Sequence, residues 1–349
     1  MINILLVNDT SIENHFGSEI VIENIKKILK KKKIKIKDEV DTEKLQYKHK
    51  LNKFILNYKF YDLILVNGEG SFHNNSKKLL NTLYLVSSIK KKKKINAYLI
   101  NALINNNKFL HNKSLLNNFE LIYLRSEYDR KQLLNKQKKN RKCKVAPDLI
   151  FYKFPKKLKS IKSKTKGITD HTNYKVSKIL FDYSMKNNSS FIPLLHAPIF
   201  RSSPIKIWYF IKFYLSIIIF YYLKKLKFKI QYQHERKFFF FKEKKEFLKS
   251  IKSKKFIIIG RYHALCVAIY NKIPFVAIES YGKKISALLG DVGLKNRLIN
   301  INQIKNINPK LDKLTTKENF KIQKFLNKID QRIEKMFDNI LNNFYGRKN

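Results

Sequence analysis

The chain has few cysteines: two, Cys143 and Cys266, in unrelated contexts. Thiols so placed make neither a disulfide framework nor a metal-ligand spacing, which fits a reducing cytoplasm. Acidic residues are also scarce, 26 against 74 lysines and arginines, for a formal net charge of +48. Such an excess suggests nucleic acid or an anionic membrane as partner. Nearly all of it is lysine, however, beside abundant Ile, Asn, Phe and Tyr, residues that share AT-rich codons. A solvated lysine surface set by genome composition is the simpler reading. Runs at 30–33 and 90–94 fall at expected helix ends, where cations complement the helix dipole. No interleaved aromatic and arginine pattern of the kind that stacks bases appears, so nucleic acid is not expected as a partner.

Other signals are missing too. The start, MINILLVNDT, reads as a strand and a polar loop, without the basic start and small-residue cleavage site of a signal peptide. The most apolar stretch is IKIWYFIKFYLSIIIFYYLKKLKFK (205–229), where Lys206 and Lys212 leave only 213–223 uncharged. A bilayer span needs about 20 apolar residues, so a transmembrane helix is not expected. The segment reads first as a buried helix or strand. Its second reading is peripheral contact with a membrane, with Trp208 and Tyr209 at the headgroups and Lys224, Lys225, Lys227 and Lys229 near anionic lipid. No Walker loop, zinc spacing or nucleophile elbow occurs. GEGSFH (68–73) is not a phosphate-binding fingerprint, since GxGxxG is absent and Glu69 would repel a phosphate.

What is present is a regular alternation. With 44% hydrophobic residues over 349 positions, the chain can fill two cores. Strands are expected at INILLV (2–7), DLILVN (62–67), INAYLI (95–100), ELIYLR (120–125) and CKVA (143–146), with helical stretches between them. Ser18 is placed to cap the helix that carries Ile22, Ile25 and Ile28. A lysine-rich connector with Pro155 (152–165) reads as a linker, after which KGIT (166–169), SFIPLL (190–195), FIIIG (256–260) and PFVAI (274–278) resume the alternation. Thr315 and Glu318 form a capping-box pattern opening a terminal helix over 316–342. The fold class is α/β: two doubly wound, parallel-sheet, Rossmann-like domains, 1–155 and 156–349, facing a cleft.

Ligands of open α/β sheets bind at the carboxyl ends of the strands. Polar and ionisable residues gather at those ends: Asn8, Asp9 and Thr10, then His15 to Ser18; Gly68 to His73; Arg125 to Glu127; Pro147 and Asp148; Asp170 and His171; Arg261 to His263; Glu279, then Lys283. Random placement would spread such residues over both ends of the sheets.

Together these stretches resemble the polysaccharide pyruvyl transferase family. The resemblance is carried by NDTSIENHFGSEIVIENI (8–25), VNGEGSFH (66–73), LRSEYDRKQL (124–133), VAPD (145–148), GRYHALCVAIYNKIPFVAI (260–278) and Lys283, in the family's order. It implies a fold like that of GT-B glycosyltransferases and transfer of the enolpyruvyl unit of phosphoenolpyruvate to a sugar of a surface polysaccharide or its lipid-linked precursor. No metal or organic cofactor is implied, phosphoenolpyruvate being a co-substrate. The family's Arg-x-His motif matches Arg261 and His263, and its first-domain arginine matches Arg125. Its first-domain loop carries an acid after the glycine, where this chain has Ser18 and then Glu19. The residue types suit the chemistry. Arginine grips carboxylate or phosphate bidentately, which favours Arg125 and Arg261, with Lys283, at the donor. His263 suits proton donation to the enol, and Glu69 suits taking the acceptor's hydroxyl proton or orienting the acceptor. Asp9, Ser18, Glu19, His73 and Asp148 are candidates for acceptor contact, placing the acceptor on the first domain and the donor on the second. The setting expected is the cytoplasm or the inner face of its membrane. Two alternatives remain: a GT-B-type glycosyltransferase using a nucleotide sugar, and a non-catalytic glycan-binding relative.

Overall fold

A computed structural model describes residues 1–13, 15–70, 76–103, 117–136, 142–154, 165–195, 197–198, 204–228 and 230–346. The first half runs Asn3–Asp9 (β1), Phe16–Lys31 (α1), Lys35–Asp41 (β2), Asn52–Leu56 (α2), Leu63–Asn67 (β3), Lys77–Lys92 (α3), Asn96–Ala102 (β4), Leu121–Leu124 (β5), Glu127–Lys136 (α4) and Cys143–Val145 (β6). The second runs Lys166–His171 (β7), Tyr174–Lys186 (α5), Ser190–Ile192 (β8), Pro204–Lys225 (α6), Tyr232–Glu235 (α7), Lys244–Lys252 (α8), Phe256–Gly260 (β9), Tyr262–Tyr270 (α9), Phe275–Ile278 (β10), Lys284–Val292 (α10), Leu298–Ile299 (β11), Thr316–Leu326 (α11) and Ile329–Tyr345 (α12).

The strands form two parallel sheets, ordered β2-β1-β3-β4-β5-β6 and β11-β10-β9-β7-β8. Helices cover both faces of such sheets, so central strands such as β3 and β9 are apolar and wholly buried. The alternation overlooks β2 and β11, both edges. β2 reads KIKDEVD and exposes Lys35 and Lys37, as an edge strand does to discourage further pairing. The order of each sheet reverses once, between β1 and β3 and between β7 and β9. The carboxyl ends of those four strands meet across the domain boundary.

One apolar cluster crosses that boundary, joining Ile4, Val21 and Ile25 to Ile257, Ile259 and Leu265. Phe16 of α1 stacks on Phe247 of α8 with ring centroids 5.0 Å apart. Instead of one terminal helix over 316–342 there are two, broken where Lys328 takes a left-handed φ of 57°. The second, α12, reaches back to the first domain. Tyr98 and Tyr152 donate to Asn343 Oδ1 and Glu334 Oε1 at 3.1 and 2.7 Å, and Lys31 pairs with Glu334 at 2.8 Å. Two further expectations change. Ser18 does not cap α1; His15 does, its Nδ1 accepting from the Ser18 amide at 3.3 Å. And α6 is not buried: Phe213 is, but Trp208 is 62% exposed and Tyr222 59%. Most of the linker, 155–164, and Lys229 lie outside the described residues.

Arg297 is fully buried and anchors the return of the chain. Its Nε and Nη2 donate to Glu318 Oε1 and Oε2 at 2.8 and 2.7 Å, and Nη1 and Nη2 reach the carbonyls of Phe275, Leu311 and Lys313. Burial alone would raise the Glu318 carboxyl, but the Arg297 hydrogen bonds outweigh it and bring it to about 2. A depressed carboxyl stabilises the fold above its ordinary value of 4.5 and loses that contribution as pH falls toward about 2. Glu318→Gln is therefore expected to cost about 3–5 kcal/mol at neutral pH, because it leaves a buried guanidinium unpaired. In urea melts against pH, the same variant should show a flatter acid limb than the parent.

Candidate functional site

Three strands of the first sheet end on asparagine or carry one near the end, and these side chains knit their carboxyl edge. Asn8, held at φ 70°, donates through Nδ2 to the carbonyls of Asn67 and Glu69, both at 2.7 Å. Asn67 Oδ1 accepts from the Glu69 amide at 3.3 Å and from Asn101 Nδ2 at 3.4 Å. The result is a fixed backbone at Glu69, which turns its carboxyl toward the second domain. Thr10 Oγ1 and Ser18 Oγ each donate to that carboxyl at 3.1 Å. Burial, with the nearby charge of Asp148, raises Glu69 to about 7.

Opposite stands the first turn of α9. Arg261 is its N-cap and His263 lies just inside it, both following the buried strand β9. His263 Nε2 is 3.3 Å from Glu69 Oε1, outside hydrogen-bonding alignment, and its ring meets that of His15 edge-on at 5.2 Å. This approach requires glycine at 17, since a Cβ there would lie 1.9 Å from His263 Nδ1. Burial, and then the charges of Arg125, Lys284 and Arg261, push His263 well below its ordinary value. Burial and charge thus drive His263 toward its neutral form and raise Glu69, so the carboxyl is the member of the pair suited to carry a proton near neutral pH.

The cations around this pair are fixed differently. Arg125 Nη1 donates to Asp148 Oδ2 at 2.7 Å, and its guanidinium lies 5.2 Å from the centre of the Tyr262 ring. Arg261 Nη2 donates to Asp170 Oδ2. In both arginines the buried Nε has no hydrogen-bond partner among the described residues, and neither has Ser280 Oγ. Lys284, at the start of α10, makes no ion pair among the described residues; burial, Arg125 and Arg261 lower it to about 8. A cavity of about 740 Å³ opens here, walled by Gly68, Gly70 and Arg125 from the first domain and His171, Ser280 and Lys284 from the second. His171 is a structural lock: Nδ1 accepts from the Asn173 amide and Nε2 donates to the Glu279 carbonyl, both at 2.9 Å. Glu279 in turn accepts from the amides of Ser280, Ile285 and Ser286, fixing the start of α10. The arrangement can bind a compact polyanion and exchange one proton beside it.

Of the residues expected from sequence, Glu69, Arg125, Arg261, His263 and Ser18 come together. Lys283 does not join them: it is exposed at a left-handed φ of 55°, and Lys284 takes the place beside the cavity. Asp148 is occupied by Arg125 and the Ile150 amide, so it orients the arginine and has no free face for an acceptor. Asp9 points back to the Ser11 amide and Lys26, and Glu19 pairs with Lys244 across the domain boundary. His73 lies outside the described residues. Lys284, Ser280 and the asparagine ladder were not singled out beforehand. The asparagines left a signal, the recurrent apolar strand ending in Asn at LLVN, LILVN and YLIN.

Two Rossmann-like domains closing on a cationic cleft make a GT-B-like fold. The chain belongs to the polysaccharide pyruvyl transferase family, whose model matches residues 15–281. Among solved structures, a UDP-GlcNAc 2-epimerase of Methanocaldococcus jannaschii, in complex with UDP-GlcNAc and UDP, is 15% identical over 94% of this chain and 92% of that one, with a TM-score of 0.50. An alpha-glucosyltransferase in complex with UDP is 12% identical over 98% of this chain and 100% of that one, with a TM-score of 0.49. At such identities the likeness concerns the fold. No curated protein matches the chain.

The Glu69 carboxyl lies above its ordinary value of 4.5, so its contribution to stability is lost as pH rises from there through about 7. Following the His263 ring resonances against pH should give an inflection near 7 that vanishes in Glu69→Gln. An inflection kept in that variant would mean that His263 itself titrates there.

Proposed function

We propose that the chain transfers the enolpyruvyl group of phosphoenolpyruvate to a sugar of a surface polysaccharide or of its lipid-linked precursor, forming a pyruvate ketal and free phosphate. The observation that carries this reading is the group of cations around the Glu69–His263 pair, Arg125 buried and Arg261 and Lys284 half-buried at the cleft. Phosphoenolpyruvate bears a carboxylate and a phosphate on a small frame. Two arginines with fixed guanidinium planes and one lysine suit both groups. The reaction as read needs no cofactor, and its donor places it in the cytoplasm.

Bound anions would offset the cations that push His263 down, so the ring would gain proton affinity as the donor enters. The proton held on Glu69 then passes to His263 and on to the methylene carbon of the donor. C2 becomes an oxocarbenium, and a sugar hydroxyl attacks it. Glu69, now a carboxylate, accepts that hydroxyl's proton. Phosphate departs with its C–O electron pair, a second hydroxyl of the same sugar closes the ketal, and its proton leaves on phosphate. One proton is added to carbon and one to phosphate, matching the two released by the hydroxyls.

Phosphate release from phosphoenolpyruvate should depend on added glycan. His263→Ala and Arg261→Lys, which keeps a cation beside buried Asp170 but loses the guanidinium fork, should each lower it about 10²–10⁴-fold while the melting temperature stays close to the parent's. Lys284→Met should act mainly on KM for phosphoenolpyruvate. Full turnover in either of the first two variants would refute the assignment. Thermal stabilisation by nucleoside diphosphates, and none by phosphoenolpyruvate, would favour a nucleotide-sugar donor. Tight glycan binding without turnover of any donor would favour the non-catalytic alternative.

A further inference from the structure

Helix α6 is built inside out. One side packs on the segment that follows it: Phe213 lies 5.9 Å from Phe240 and Phe220 3.9 Å from His234, between ring centroids. Ser216 Oγ accepts from Lys237 at 2.8 Å and Lys224 pairs with Glu235 at 2.7 Å. The opposite face carries Trp208, Ile211, Leu215, Ile218 and Tyr222 at helical spacing, the least exposed of them at 48%, and Leu226 follows just past the helix end. Among the described residues this is the one helix long and apolar enough to cross a membrane, yet only 6% of that window is buried. An apolar face of this extent marks an interaction surface.

We propose that α6 lies in the interface of an anionic lipid bilayer, with its apolar face in the lipid. Charge selects this occupant. Lys212 stands beside Trp208 with its Nζ 4.7 Å from the ring centre, and exposed Lys225 and Lys227 close the other end of the stripe. The neighbouring acid, Glu235, is on the packed side and already paired. Aromatic and lysine flanks around an apolar stripe suit headgroups and anionic phosphates. A second copy would instead bring like lysines together in a chain of net charge +48.

The helix lies flat and does not span. Both ends of the excursion meet at one neck, where the Ala197 amide donates to the Phe241 carbonyl at 3.1 Å. A single crossing would strand Glu235, Arg236 and Lys237 on the far side. The neck adjoins the cleft, because Leu195 bridges to His15 and His15 touches His263. Resting on the reading of a glycan acceptor, this puts a lipid-linked substrate within reach of the site as the protein sits on its membrane.

Trp208 is the only tryptophan, so its emission reports on α6 alone. The full chain is mixed with phosphatidylcholine vesicles, with or without phosphatidylglycerol, in the absence of donor and acceptor. Flotation with the anionic vesicles and a blue shift of Trp208 are expected, both weakened by salt. Leu215→Glu and Ile218→Glu should each reduce binding at least about tenfold, with unchanged circular dichroism. Phe60→Glu, at an exposed site on the first domain, should not. An unshifted emission, equal flotation with neutral vesicles, or a dimer that hides Trp208 before lipid is added would overturn the proposal. None of these outcomes bears on phosphate release, so the two readings fail separately.

Discussion

The contact between Gly17 and His263 is the constraint on which the site depends. Two helix starts, one from each domain, approach so closely that only a hydrogen fits between the backbone of one and the imidazole of the other. That closeness brings Nε2 of His263 to the Glu69 carboxyl and places Ser18 and His15 around the pair. It also removes water, and removal of water is what drives both groups toward their neutral forms. Packing and protonation are therefore one property of this interface.

The two domains treat their arginines alike. Each has an aspartate at a strand end that grips one guanidinium nitrogen and accepts a backbone amide: Asp148 with Arg125 and Ile150, Asp170 with Arg261 and Leu194. The aspartates hold the guanidinium planes before any ligand arrives and leave Nε without a partner among the described residues. Lys284 lacks such a support, and its charge is correspondingly easier to lose.

Much of this was legible in the sequence, for identifiable reasons. Buried parallel strands are apolar runs whose ends must carry polarity, so alternation located both sheets and the GRYH turn. The edge strand β2 escaped because its charges, Lys35 and Lys37 among them, hide the pattern, and β11 because two residues are too short to show one. The lysine beside the cavity was misplaced by one residue, since a left-handed Lys283 reorients the chain in a way no periodicity reveals. Cap identity was a similar case: serine is the ordinary N-cap, and the histidine three residues earlier took the role. For α6, composition alone could not separate a core helix from one with its greasy side outward, because Phe213 and Leu215 look the same on a hydropathy scale.

The return of α12 to the first domain has a mechanical consequence. The chain passes from one domain to the other after Phe154 and passes back near Lys328. Two covalent crossings tether the domains at two points of the chain and not one. The second tether is fastened by the ties of α12 to Lys31, Tyr98 and Tyr152, so substitutions there reach the domain interface without touching the candidate site.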